Sequence, residues 1–336
     1  MARLGGGDAA VKRGIVSEAF MATFKPPSGL GSRRALRRMR RAAQMALLAI
    51  PACLTLLPST ARCASNEDTL APGLGFPEGT IFVGDTLYFV DYATSEVFRL
   101  KGHDKELVWH EAGCGPTGLL KRDEGLLVAC YDSNRVVLIS LDGKVLKRIE
   151  QDAEGHGFAE PNDLAADAKG GVYFSASGSN KSGKVYYVGA DQRVRVVATD
   201  IDYANGLVVS PDGSLLYVAE SDAHRLLIAT IAADGTLGAL REFVNLNALL
   251  AKGRSYVPDG VRIDAEGRLF VSLWDGGGFA VIGATGDLIA QIDVNGEHHA
   301  NLAISPEGRF VYGTTVSGNG SDARGALYRV PNPVFK

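Results

Sequence analysis

Six polar residues able to offer oxygen recur at comparable places in this chain: Glu78, Thr117, Asn162, Asn205, Asp259 and Asn301, each leading into a short apolar run. Four of them, Glu78, Asn162, Asn205 and Asp259, carry carboxylates or amides, which are hard oxygen donors. Such a set suits Ca²⁺, which takes about 6 to 8 oxygens, and two carboxylates balance a divalent charge. Mg²⁺, Mn²⁺ and Zn²⁺ stay open as occupants, although the absence of Cys or His from the set argues against a typical zinc centre. Taken singly, Asn205-Gly206 and Asp259-Gly260 are ordinary turn chemistry. Six polar residues at one register are harder to dismiss.

The register comes from an internal repeat. Successive openers lie 39, 45, 43, 54 and 42 residues apart, the period of a unit built from one four-stranded sheet. Each unit runs from the polar opener through an apolar strand to a tight turn such as Asp212-Gly213, then to a second strand such as Leu216–Glu220. A third strand and usually a fourth follow. A β-sandwich would not restart with the same polar opening, so the expected fold class is all-β, a six-bladed β-propeller with four-stranded antiparallel blades. Blades related by rotation bring equivalent residues to one end of the central channel, so the openers should form a polar ring there. After Ala326–Val330 only six residues remain, two of them proline. The last blade should therefore borrow a strand from the start of the propeller, around Glu67–Ala71.

Hydrophobic content of 46%, charged content of 22%, a net charge of −3 and a pI near 6.1 describe ordinary globular material. They give no support for nucleic-acid binding. Residues 1–31 have no strand or helix period and are expected to be disordered or an upstream-start segment, with Met21 an alternative start. Residues 32–65 have the form of an export signal peptide: an Arg-rich stretch from Arg33 to Arg41, an apolar run from Ala42 to Leu57, and small residues at Ser59-Thr60-Ala61 or Ala61-Arg62-Cys63. Gln44 and Pro51 interrupt the run, which is short for a span of roughly 20 residues, so no stable membrane span is expected. The propeller should occupy residues 66–336, in the periplasm or outside the cell. Of the four cysteines, Cys114 and Cys130 fall in the propeller. Export would permit a disulfide, but a core this large needs no staple, and two buried free thiols are expected.

The ordered set Glu78-Gly79, Pro161-Asn162-Asp163, Asn205-Gly206-Leu207 with Ser210-Pro211-Asp212-Gly213, and Pro258-Asp259-Gly260 with Asp264 and Gly267 resembles the SMP-30/gluconolactonase/luciferin-regenerating-enzyme-like family of six-bladed propellers, over about Phe76 to Val330. The resemblance implies one divalent metal, often calcium, on Glu78, Asn162, Asn205 and Asp259, and hydrolysis of a small-molecule lactone or related ester. Asp259 would also serve as general base. Sugar-lactone hydrolases of the family commonly carry Arg where this chain has Glu160, and some use an acidic residue where it has Ser177-Gly178-Ser179-Asn180. That departure puts a sugar-acid lactone in doubt. Thr117, Glu160, Asn180, Trp274, His299 and Asn301 are the candidate substrate-binding residues.

His298 and His299 precede Asn301 and would titrate near neutral pH at the channel mouth, although solvent-exposed loop histidines are the commoner case. His156 has similar standing, and His224 is expected to be structural or solvent-facing. The alternative to a hydrolase is a non-catalytic, calcium-stabilised propeller that binds a ligand or protein partner, because a fold alone does not choose a function.

Overall fold

A computed structural model describes residues 62–64, 67–123, 125–178, 180–251, 253–318 and 323–335. Two strands, β1 (Arg62–Ala64) and β2 (Asp68–Leu74), precede the first repeat. Blade one holds β3 (Pro77–Val83), β4 (Thr86–Asp91), β5 (Glu96–Lys101) and β6 (Asp104–His110). Blade two holds β7 (Pro116–Arg122), β8 (Gly125–Cys130), β9 (Arg135–Ser140) and β10 (Val145–Ile149). Blade three holds β11 (Pro161–Ala166), β12 (Val172–Ala176), β13 (Gly183–Val188) and β14 (Val194–Ile201). Blade four holds β15 (Ala204–Val209), β16 (Leu215–Glu220), β17 (Arg225–Thr230) and β18 (Arg241–Asn245), with one helical turn, α1 (Leu246–Leu249), after it. Blade five holds β19 (Pro258–Ile263), β20 (Leu269–Leu273), β21 (Gly278–Ile282) and β22 (Leu288–Asp293), and β1 adds to its outer edge in parallel.

The sixth blade, β23 (Leu302–Ile304), β24 (Phe310–Ser317) and β25 (Arg324–Pro331), lacks a strand of its own. β2 supplies it, pairing antiparallel with β25 through Thr69↔Tyr328 and Ala71↔Leu327. The ring is thus closed by the segment expected from the sequence. The first strands of successive blades touch one another all the way round, β23 meeting β3 to complete the circle.

Blades stick because each sheet is apolar on both faces. In β4, Tyr88 and Val90 pack against blade two, and Leu87 and Phe89 pack against blade six. β8 divides the same way, Leu126 and Val128 facing blade one and Leu127 and Ala129 facing blade three. A period-2 strand buried on both sides therefore has the continuous apolar sequence that marks each second strand. The core is accordingly a set of six clusters, one between each pair of neighbouring blades.

The cysteines correct one expectation. Cys114 and Cys130 are joined in a disulfide, their Cα atoms 4.7 Å apart, instead of lying as two free thiols. The size of the core was the wrong criterion. Pairing of Pro116 with Cys130, and the Asp132 N–H bond to the Cys114 carbonyl at 3.1 Å, already set the two residues opposite each other within bridging range.

Candidate functional site

The polar openers sit where the ladder breaks. Register slips occur between Glu78 and Ile81, Pro116 and Gly118, Pro161 and Leu164, Ala204 and Leu207, and Pro258 and Val261. A bulge frees a side chain from the alternation of its strand and re-aims it. The glycine after several openers has a separate cause. A Cβ on Gly118 would lie 2.4 Å from the Asn162 carbonyl oxygen, and one on Gly206 would lie 2.3 Å from that of Asp259. Neighbouring first strands approach backbone to backbone around the channel, and a side chain would hold them apart.

A second repeated position decides what each opener can do. The residue just after the second strand of blades one to five donates its N–H to the carbonyl two residues before the opener: Tyr92 to Phe76, Tyr131 to Gly115, Ser177 to Glu160, Ser221 to Tyr203 and Trp274 to Val257. Among these five blades, serine occupies it in the two that carry asparagine openers, blades three and four. Asn162 Nδ2 donates to Ser177 Oγ at 3.1 Å, and Asn205 Nδ2 donates to Ser221 Oγ at 3.2 Å. Each serine donates onward to the next blade, Ser177 to the Ala204 carbonyl at 3.0 Å and Ser221 to the Pro258 carbonyl at 2.6 Å. With the amide nitrogens committed, the oxygens are the ends left over. Asn205 Oδ1 is buried and has no hydrogen-bond partner.

Glu78 and Asp259 are both buried. Burial first, then the charges of Asp259 and Asp163, push the Glu78 carboxyl well above the usual carboxylate range. Burial and Asp163 do the same to Asp259, opposed by the Asn205 amide beside it. Two buried carboxylates and an orphaned amide oxygen form a donor set that fits a hard divalent cation. Among the described residues no group of three or more His, Cys, Asp or Glu side chains forms a metal cluster; this set relies on amides for half its members.

Two residues that sequence reasoning passed over lie beside the ring. Arg262 donates to Asp163 Oδ2 at 2.8 Å, to Asn301 Oδ1 at 3.0 Å and to the Thr80 carbonyl at 3.3 Å, so one guanidinium from blade five ties blades three, six and one. It also gives Asp163 a cationic partner. A signal for both existed. Asp163 stands where four other copies have glycine, and Arg262 is the one charged residue three places after an opener, against Ile81, Leu120, Ala165, Val208 and Ile304.

The remaining candidates differ in how far they face solvent. Thr117 and Asn301 face into the fold. Thr117 Oγ1 donates to the Pro161 and Asn162 carbonyls at 3.2 and 2.9 Å. Asn301 Oδ1 accepts from the Thr80 N–H, the Thr80 hydroxyl and Arg262, which turns its amide nitrogen toward Glu78. Glu160 and Trp274 stay half-exposed. Glu160 has a left-handed backbone at φ 58°, as does Tyr203 at φ 63°, each two residues before an asparagine opener. Non-glycine residues in this region cost of order 1–3 kcal/mol and concentrate at functional sites. Trp274 stacks between His298 and Phe76. Asn180 lies exposed in a turn after β12. His299, set among the candidates as a mouth residue, is fully buried, edge-on to Tyr328, with both ring nitrogens unpartnered. His156 pairs with Asp152 on an exposed loop, and His224 Nδ1 meets the Tyr256 carbonyl at 3.1 Å.

The chain belongs to the family described as the SMP-30/gluconolactonase/LRE-like region, which it matches over residues 76–317. It is 27% identical over 241 residues to lactonase drp35 of Staphylococcus aureus strain USA300, covering 68% of this chain and 72% of that protein. The Staphylococcus saprophyticus lactonase drp35 is 26% identical over 242 residues, covering 69% and 70%. Among solved structures, a gluconolactonase of Xanthomonas campestris superposes with a TM-score of 0.66 at 20% identity, covering 80% of this chain and 89% of that one. A regucalcin of Agrobacterium tumefaciens strain C58, described as a calcium-binding protein, superposes with a TM-score of 0.62 at 20% identity, covering 79% and 93%. These two structures bear on the fold.

Proposed function

We propose that the protein is a metal-dependent hydrolase of a small-molecule lactone. Its relatives over two thirds of the chain are lactonases. The observation that carries the metal requirement is the buried, unpartnered Asn205 Oδ1 beside two buried carboxylates that like charge and burial disfavour.

Glu78, Asn162, Asn205 and Asp259 would hold the ion, most simply Ca²⁺. When bound, it supplies Lewis-acid polarisation of the lactone carbonyl and lowers the pKa of water. Ser177 and Ser221 hold the two amides with their oxygens free, and Asn301 steadies Glu78 through its amide nitrogen. Asp259 takes the proton from the attacking water; the ring C–O bond breaks and the departing oxygen recovers a proton, giving a hydroxy acid. Protein stripped with chelator and reloaded with Ca²⁺, Mg²⁺, Mn²⁺ or Zn²⁺ should release acid from at least one aliphatic, sugar or aromatic lactone in a pH-indicator assay. Turnover that survives chelation refutes the metal requirement. Calcium-dependent melting with no turnover on any lactone would favour a non-catalytic, calcium-stabilised propeller instead.

Export belongs to the same reading. Residues 1–61 and 65–66 lie outside the described residues, and among the described residues no helix is long and apolar enough to cross a membrane. The Cys114–Cys130 disulfide supports an oxidising compartment. Mass spectrometry of the periplasmic or secreted fraction should find an N-terminus between about Arg62 and Asn66; an intact cytoplasmic chain refutes it.

A further inference from the structure

The end of the propeller that carries the polar ring also carries a run of aromatic side chains. His298 stacks on Trp274 with ring centres 4.3 Å apart and planes 6° from parallel. Trp274 stacks on Phe76 at 5.4 Å, Phe76 meets Tyr92 at 5.5 Å, and Tyr92 meets Tyr131 edge-on at 6.3 Å. The Tyr131 and Tyr203 hydroxyls then meet at 3.1 Å, joining blade two to blade four. All six side chains are neither buried nor fully exposed.

Their placement follows from the two repeated positions around the ring. Phe76 and Tyr203 lie two residues before the openers Glu78 and Asn205. Tyr92, Tyr131 and Trp274 occupy the position after the second strand, which blades three and four give to the serines that hold the amides. The aromatic run therefore borders the donor set, and Asp259 acts electrostatically on Tyr203.

The belt has little to offer a sugar. The Tyr92 hydroxyl donates to Asp132 at 2.8 Å, the Tyr131 and Tyr203 hydroxyls engage each other, and Glu160 draws on Tyr131 as well. Three carboxylates border it: Asp132 beside Tyr92, Glu160 beside Tyr131 and Tyr203, and Asp275 against His298 at 3.1 Å. An anionic substrate meets like charge here, and a polyhydroxylated one must leave water for ring faces and hydroxyls already engaged. A flat apolar ring loses nothing by leaving water and gains apolar and edge contacts with the half-exposed rings of the belt, Trp274 and Phe76 among them.

We propose that this aromatic belt is the specificity surface of the site and selects neutral lactones bearing a flat apolar ring. The proposal rests on the lactone-hydrolase reading for its reaction but not for its binding. The test uses the calcium-loaded protein and three γ-lactones: unsubstituted, phenyl-substituted and polyhydroxylated. The wild type should prefer the phenyl-substituted lactone over the polyhydroxylated one by about tenfold or more in kcat/KM. The ratio of phenyl-substituted to unsubstituted activity, read within each variant, should collapse toward unity in Trp274→Ala and Phe76→Ala and be kept in Trp274→Phe. Preference for the polyhydroxylated lactone, or a ratio that survives both alanine changes, overturns the belt.

If no lactone is opened, the reaction has failed and the belt is read by binding. A phenyl-substituted γ-lactam, neutral and resistant to ring opening, should quench tryptophan emission saturably. The buried Trp109 provides the residual signal, and the quenching should be lost in Trp274→Phe. A wild type that shows no saturable quenching overturns the belt whatever the reaction.

Discussion

Arg262 and Asp163 pair at 2.8 Å between the first strands of blades five and three, with both side chains largely withdrawn from solvent. Taking one partner from such a pair leaves a buried charge uncompensated, typically at a cost of about 3–5 kcal/mol. Asp163 also raises the carboxyls of Glu78 and Asp259, so losing Arg262 would worsen a repulsion that already exists. Arg262→Met should lower the unfolding free energy by that amount, measured by denaturant titration, and adding Asp163→Asn should restore much of it. A single variant as stable as the parent would show that the pair is not holding the channel together.

Ser221→Ala leaves the proposed ligands in place but frees the Asn205 amide to turn. Removing a group that orients a ligand costs about 10- to 100-fold in metal affinity. Calorimetric titration with Ca²⁺ should show a loss of that size, and Asn205→Ala should lose more.

Asp259→Asn separates holding from chemistry, because an amide oxygen replaces a carboxylate oxygen while the proton acceptor disappears. Loss of a general base costs about 10²- to 10⁴-fold. Calcium binding should stay measurable by calorimetry while kcat falls in this range; undiminished turnover removes Asp259 from the reaction.

His299 predicts an acid response. Burial, then the charge of His298, lowers it to about 4, while the unfolded chain titrates near 6.5. Between those values the unfolded state takes up a proton that the folded state refuses, so stability is highest above about pH 6.5 and falls as pH drops toward 4. The window is worth roughly 3 kcal/mol. Denaturation of the wild type and His299→Leu at pH 7 and pH 4.5 should show a smaller acid loss in the variant.

The disulfide closes a loop of 16 residues, for which chain entropy gives about 3 kcal/mol. Cys114→Ser with Cys130→Ser should lose stability on that scale, and reductant should lower the wild-type melting temperature but not that of the double variant.

The fold was legible because six copies say the same thing: a polar opener, a tight turn, and an apolar strand made continuous by burial on both faces. Alignment places a residue, however, and does not say which end of it faces the channel. Thr117 and Asn301 share the register of Glu78, yet the first spends its hydroxyl on the neighbouring backbone and the second turns its oxygen toward Arg262 and Thr80. The Arg262–Asp163 pair spans 99 residues, so it surfaces only when each copy is searched for the residue that breaks the pattern. The disulfide follows from the local pairing of Pro116 with Cys130, on which the size of the core has no bearing.

Closure of the ring by β2 on β25 has a temporal consequence. Asp68 and Arg329, whose side chains meet at 2.6 Å, are 261 residues apart. β2, made before any strand of the six repeats, must therefore wait for β25, with the exposed flank of blade one uncovered meanwhile. Loop closure grows only logarithmically more costly with length, so the delay is set by synthesis more than by entropy. During that wait, the half-made ring depends on chaperones or on speed to keep Leu87 and Phe89 from other partners.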